Sequence, residues 1–259
     1  MNKIYKYFEL RLYFLISKIF KQHVKYNNLK NIYKKKNFDF DRSLKILNSF
    51  INNSNFKPND IKMISNHYLL IAAISLKYLN IKNILEIGTF DGYCSSFLSY
   101  CFKDSKITTI DLNDNDNSFV KTYGRSSKSY LKEHLNIRDM NIKDKKNIDF
   151  IQENSIYFFE KNRSFDLIFI DGDHTEPTVI IDIINSLKSL NFNGLIILDD
   201  VVLRDRLIIN KYESYASFDT LSRLKDIGLI KFTLFPKRSI FPYSTKIMAK
   251  YVAMIEKNL

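Results

Sequence analysis

The chemical signal of this chain sits at the ends of short apolar runs. The stretch Phe165-Asp-Leu-Ile-Phe-Ile-Asp-Gly-Asp-His174 holds an apolar core, Leu167 to Ile170, and ends abruptly in Asp171, Asp173 and His174, with Gly172 allowing a sharp turn. A second run, Leu195 to Leu198, ends in Asp199-Asp200. Apolar, β-branched-rich runs of this length read as buried strands, and a parallel α/β sheet binds ligands just beyond the carboxyl ends of its strands. Carboxylates converging there could hold Mg²⁺, which takes hard oxygen ligands and keeps positions open for substrate. Without a cation they would repel one another and raise each other's pKa. An imidazole beside them is matched to removing a hydroxyl proton near neutral pH. The plainer reading is that some of these aspartates cap helices and that His174 is simply packed.

A second chemical stretch lies upstream, Ile84-Leu-Glu-Ile-Gly88-Thr-Phe-Asp-Gly92-Tyr-Cys-Ser-Ser96. It reads as a strand, a glycine turn and a helix start. Glycines there let backbone approach a ligand closely, and the helix start offers free N–H groups. The next strand, Lys106 to Ile110, ends in Asp111, about 20 positions after the turn and suited to ribose hydroxyls. The glycines follow G-x-x-x-G rather than the dinucleotide spacing G-x-G-x-x-G, which argues against a nicotinamide or flavin site.

These residues need a frame. Glu176 and Pro177 open an apolar-periodic helix after the 165–174 stretch. Asp41 to Ile51 and Asp60 to Leu79 read as helices, the second capped at Asn59 or Asp60 and bordering the site. Lys34 to Lys36 reads as a solvated linker. The polar stretch Asn113 to Lys146, with a helix from Ser127 to Leu135, is long for a connection and reads as a substrate-covering segment. Arg125 within it either meets an anionic group or is solvated. Ser214 to Ile227 reads as a helix, and Leu229 to Leu234 with Lys246 to Ile255 as a closing pair of strands, joined by a loop over 235–242 near the substrate side. The division expected is an N-terminal helical segment, 1–58, and one catalytic domain, 59–259.

Taken together, EIGTFDGY (86–93), IDL (110–112), QENS (152–155), FIDGDH (169–174) and ILDD (197–200) resemble the class I S-adenosylmethionine-dependent methyltransferases. The branch is that of catechol- and caffeoyl-CoA-type and macrolide-sugar O-methyltransferases, and the likeness runs over about residues 60 to 205. It implies an α/β, Rossmann-like fold: a mostly parallel seven-stranded sheet with an antiparallel C-terminal strand, plus N-terminal helices. It implies a cofactor site of Glu86, Gly88, Thr89, Gly92, Asp111, Asn154, Ser155 and Asp171. Asn154 and Ser155 would read the adenine edge where many members carry Gly-Asp, and they also suit a plain helix cap. Asp171, Asp199 and Asp200 would bind Mg²⁺ or a similar divalent cation, and His174, with Asp171, would be catalytic. The function implied is a metal-assisted O-methyltransferase acting on a hydroxyl of a small molecule or sugar.

Composition bounds the alternatives. The chain has 259 residues, 45% hydrophobic and 26% charged, enough for one sizeable core. Its net charge of +12 comes from lysines scattered along the sequence, as a general Lys/Asn/Ile bias would give. No amino-methyltransferase [DNS]-P-P-[YF] signature or Pro-Cys nucleophile supports a nucleic-acid substrate. A hydroxylase-like relative, of the kind named cephalosporin hydroxylase, and a non-catalytic or membrane-tethered cofactor binder stay open. Cys94 and Cys101 lie inside one expected helix, which excludes a disulfide framework and fits a reducing, cytoplasmic compartment. Residues 1–22 are too short and too charged to span a bilayer. Their apolar face suits packing on the body or on a second copy of the chain, or lying on a membrane surface.

Overall fold

The computed structural model describes residues 26–54, 64–161, 163–206, 209–239 and 248–258. In chain order these form α1 (Tyr26–Lys35), α2 (Phe40–Asn53), α3 (His67–Lys77), β1 (Asn83–Ile87), α4 (Tyr93–Cys101) and β2 (Lys106–Asp111). Then come α5 (Asn117–Lys121), α6 (Lys128–Ile142), β3 (Ile148–Gln152), α7 (Ser155–Phe158), a 3₁₀ turn and β4 (Phe165–Ile170). The chain closes with α8 (Thr178–Ser189), β5 (Leu190–Val201), α9 (Ala216–Asp226), β6 (Ile230–Pro236) and β7 (Tyr251–Lys257).

The strands make one sheet in the order β3-β2-β1-β4-β5-β7-β6. β1 to β5 pair in parallel, and β7 inserts antiparallel between β5 and β6. The order reverses between β1 and β4, so their carboxyl ends flank the crevice where such sheets bind ligands. Alternation along β4 divides the core. Leu167 and Phe169 join one cluster with α1 to α4, while Ile168 and Ile170 join the other with α8 and α9. Buried on both faces, β4 therefore needs its unbroken apolar run.

Several expected boundaries shift. Lys34 and Lys35 belong to α1 rather than to a linker. α3 starts at His67; residues 60–63, and with them the caps expected at Asn59 or Asp60, lie outside the described residues, as do residues 1–22. The 113–146 stretch is mostly helix, not loop. α5 is capped by Asp116, and α6 runs past Leu135 because Arg138 is pinned to Asp114 at 2.6 Å and Asn141 Nδ2 donates to the Asp91 carbonyl at 2.8 Å. β5 begins at Leu190, five residues before its apolar run, and β7 begins at Tyr251. Among the described residues no helix is long and apolar enough to cross a membrane.

Candidate active site

The two acidic strand ends meet. Asp171 follows β4, its backbone N–H donating to the Ile87 carbonyl at 2.9 Å, and His174 Nε2 lies 3.2 Å from Asp171 Oδ1 and 3.9 Å from Asp200 Oδ2. Asp199 and Asp200 are neighbours on β5, and regular alternation would send them to opposite faces. They escape it because the β5–β7 register slips between Leu198 and Val201 and Asp200 takes a φ of 53°, a left-handed conformation that aspartate tolerates better than most residues. Both side chains then reach one cation, the ammonium of Lys237. Its Nζ is 2.6 Å from Asp199 Oδ2 and also bonds Asp200 Oδ1.

More groups complete the cluster. His67, the first residue of α3, sets Nδ1 3.2 Å from Asp199 Oδ2. Lys250 Nζ donates to Asp200 Oδ2 and lies as close to Glu213 Oε1, both at 2.7 Å, and Arg206 lies 3.0 Å from Glu213. Burial pushes the Asp200 carboxyl up, but the Lys237 charge, helped by His174 and Lys250, carries it down to about 2. Asp199 is likewise held well below the ordinary range by Lys237 and His67 against its burial. Asp171 moves the other way, raised by burial and by the charge of Asp199. Burial would lower the His174 imidazole, yet its hydrogen bond to Asp171 and the charges of Asp200 and Asp171 leave it above its usual value.

The glycine turn lies against this cluster. Gly88 has φ +97°, and a Cβ there would meet the Asp171 carbonyl oxygen at 2.4 Å, so only glycine fits. Gly92, at φ +72°, precedes α4, and a Cβ would press on Ile142 and the Arg138 carbonyl at 3.0 and 3.1 Å. Asp111 closes the turn by accepting from Phe90 N–H at 2.9 Å and Leu112 N–H at 2.8 Å. Glu86 is buried at the end of β1, where Ser95 and Thr109 donate to it. Burial is the larger effect and raises its carboxyl to about 7. The Thr89 hydroxyl pairs with that of Thr109 at 2.7 Å. Asn154 caps α7 through Ile156 N–H at 3.0 Å, and Ser155 is buried beside it.

Of the residues expected from sequence, Asp171, His174, Asp199 and Asp200 come together, with Glu86, Gly88, Thr89, Gly92 and Asp111 adjoining through β1 and the turn. Asp173 turns away to accept from the Thr175 backbone and hydroxyl. Arg125 is neither solvated nor free for an anion: it is 5% exposed, donates to the Phe119 carbonyl at 2.8 Å and stacks over that ring at 3.8 Å. The 113–146 stretch instead presents Tyr123, stacked on Tyr212 with centroids 5.0 Å apart and close enough to Asp200 and Asp171 for their charges to raise its phenol further once burial has done so.

Sequence reasoning did not single out His67, Lys237, Lys250, Arg206 or Glu213. Only the loop carrying Lys237 had been placed on the substrate side. The mid-helix position assigned to His67 hid that it opens α3.

A divalent ion on Asp171, Asp199 and Asp200 does not fit this arrangement. Both Asp200 oxygens and one Asp199 oxygen already carry ammonium groups. The atoms that do cluster, from His67, Asp171 and Asp199, lie within 4.8 Å of one another. An ion on Asp199 would face Lys237 at close range: two unit charges about 4 Å apart repel by roughly 4 kcal/mol near a protein surface, and a divalent ion doubles that.

Residues 85–201 match the family described as "Methyltransferase domain". The matched stretch is somewhat less than half of this chain. It spans β1 to β5, the strands that deliver Glu86, Asp111, Asp171 and Asp199. A curated relative, probable caffeoyl-CoA O-methyltransferase 3 of Dictyostelium discoideum, is 26% identical over 157 residues. The match takes in 58% of this chain and 56% of that protein, so the chain spans little more than half of its relative's length.

The fold is also that of solved methyltransferases. The O-methyltransferase TomG of Streptomyces achromogenes, in complex with S-adenosylmethionine, matches with a TM-score of 0.51 at 14% identity, over 91% of this chain and 98% of that one. An O-methyltransferase of Bacillus cereus in complex with S-adenosylhomocysteine matches with a TM-score of 0.50 at 16% identity, over 88% and 96%. At such identities these likenesses speak for the class I, Rossmann-like fold alone.

Proposed function

We propose that this chain is an S-adenosylmethionine-dependent O-methyltransferase that acts on a hydroxyl group of a small molecule or sugar. The observation that carries the reading is the glycine turn of the matched domain, closed by Asp111 and packed onto the Asp171 carbonyl so tightly that Gly88 admits no side chain. That cradle of closely packed backbone and carboxylates suits a cofactor with a ribose and an amino-acid end. Gly88, Thr89 and Gly92 would give it close backbone contact, with Glu86 and Asp171 beside it. Asp111 would take the ribose hydroxyls, and Asn154 and Ser155 the adenine edge.

The cofactor, when bound, supplies an activated methyl group. The protein has to orient an acceptor hydroxyl, exclude water and remove its proton. His174 would receive that proton. Asp171 fixes one ring nitrogen and stabilises the imidazolium that forms, while Nδ1, buried and without a partner among the described residues, holds the free lone pair when Nε2 carries the hydrogen. Tyr123 and Tyr212 offer an aromatic rim for an acceptor ring. Divalent-metal assistance is left out of the reading because Lys237 and Lys250 already pair with Asp199 and Asp200, two of the three carboxylates that would hold the ion.

Calorimetric titration with S-adenosylhomocysteine tests the proposal. Saturable, stoichiometric binding is expected, weakened about tenfold or more in Asp111→Asn, which can keep the acceptor that closes the turn but loses the charge. Absence of binding in folded protein would reduce the turn to a structural element.

A further inference from the structure

Resting on that reading, we propose that the Lys237 ammonium occupies the cation position of the acidic site, so that this methyltransferase works without a divalent ion and offers an N–H donor to the acceptor oxygen where a metal would offer a coordination site. Three observations carry this. The ammonium is the group on which the two β5 carboxylates converge, bonding Asp199 and Asp200 together. Its side chain is only 13% exposed, a setting that a lysine accepts only when its charge is matched. Its backbone is clamped from two elements: Lys237 N–H donates to the Lys250 carbonyl at 2.8 Å, and the Lys237 carbonyl accepts from Asn66 N–H at 2.7 Å. Asn66 also ties the neighbouring Pro236 carbonyl at 2.7 Å and the Ser239 hydroxyl at 3.1 Å. The loop is therefore built to deliver this side chain.

Charge matching extends outward. Asp171, Asp199, Asp200 and Glu213 are answered by Lys237, Lys250 and Arg206, and the anion left over is Asp171, beside His174. An ammonium has three donors. Among the described residues two go to Asp199 and Asp200, which leaves one for an acceptor oxygen. A lysine offers a point charge without the several ligand positions of Mg²⁺, so it suits an acceptor with a single hydroxyl better than a chelating pair of hydroxyls.

Mn²⁺ titration followed by electron paramagnetic resonance, with the metal alone as probe, tests this independently of any acceptor. The full-length wild-type chain is expected to leave Mn²⁺ free and to bind S-adenosylhomocysteine equally with EDTA or Mg²⁺. Lys237→Met is expected to open a stoichiometric Mn²⁺ site, lost again when Asp199→Asn is added, whereas Lys237→Arg, which keeps the charge, opens none. Stoichiometric Mn²⁺ binding by the wild-type chain that depends on Asp199 would overturn the proposal. So would the absence of Mn²⁺ binding in a Lys237→Met protein that still binds S-adenosylhomocysteine. Should the wild-type chain bind no S-adenosylhomocysteine, the functional reading fails while the Mn²⁺ result still decides the role of Lys237 as the site's cation.

Discussion

Glu86 shows what a site residue costs the fold. Its carboxyl is fully buried and titrates at about 7 instead of 4.5, because burial outweighs the hydrogen bonds from Ser95 and Thr109. The folded state therefore holds a proton that the unfolded chain has released between those two values. Unfolding then releases protons, and stability falls as pH rises through that window, with the penalty complete above about pH 7. The size is on the order of 3 kcal/mol, from about 1.4 kcal/mol per pKa unit. Glu86→Gln keeps the shape and an acceptor for both hydroxyls. Urea unfolding of the two proteins should coincide near pH 4.5 and diverge at pH 8, the variant being the more stable. A pH-independent difference would place the cost elsewhere. Asp91 and Asp182, each raised to about 6 by burial, add to the slope of both proteins and cancel in the comparison.

At the scale of elements, the strand–turn–helix around Gly88 and the β5 end do different work, and they were unequally legible. The turn is a local device. Its glycines and the apolar runs beside it are contiguous in sequence, so periodicity and turn chemistry were enough to place Gly88, Gly92 and Asp111, while Glu86 was singled out by the family resemblance. The acidic ends of β4 and β5 were legible for the same reason. The slip in β5 that turns Asp199 and Asp200 toward one cation has no signature in ILDD. Lys237 comes from the far side of an antiparallel insertion and is one of many scattered lysines, so only the fold singles it out. α6 outran its reading because tertiary ion pairs, not an apolar stripe, extend it.

Two glycine variants separate backbone strain from close packing. Gly228→Ala, at φ +78° with open space around the Cβ, should cost only about 1 kcal/mol. Gly88→Ala adds a collision with the Asp171 backbone and should cost at least about 2 kcal/mol more by denaturant unfolding. It should also weaken S-adenosylhomocysteine binding, which Gly228→Ala leaves alone. Equal effects of the two would mean that the turn can move off Asp171.

Across the whole molecule, the question is whether the N-terminal helices are an appendage or part of the core. The expected boundary near residue 58 treats them as separate, but Leu29, Tyr33, Phe38, Leu47 and Phe50 belong to the same hydrophobic cluster as Leu167, Phe169 and Ile197 of the sheet. Tyr33 is the keystone of that layer. It is fully buried, and its ring meets Phe38, Phe40 and Phe235 edge-on with centroids 5.8, 5.3 and 5.4 Å away. Phe235 lies two residues before Lys237, so packing of α1 bears on the segment that carries the site's cation. The helices and the sheet should unfold as one unit, with circular dichroism at helix and aromatic wavelengths giving coincident transitions. Tyr33→Ala should lower that single transition by about 3–5 kcal/mol, the range for emptying an aromatic site. Tyr33→Phe, which removes a buried hydroxyl without a partner among the described residues, should be neutral or stabilising by up to about 1 kcal/mol. If Tyr33→Ala instead splits the transition and spares the aromatic signal of the sheet, α1 and α2 are a separable layer, and the position of Lys237 rests on its backbone bonds to Asn66 and Lys250.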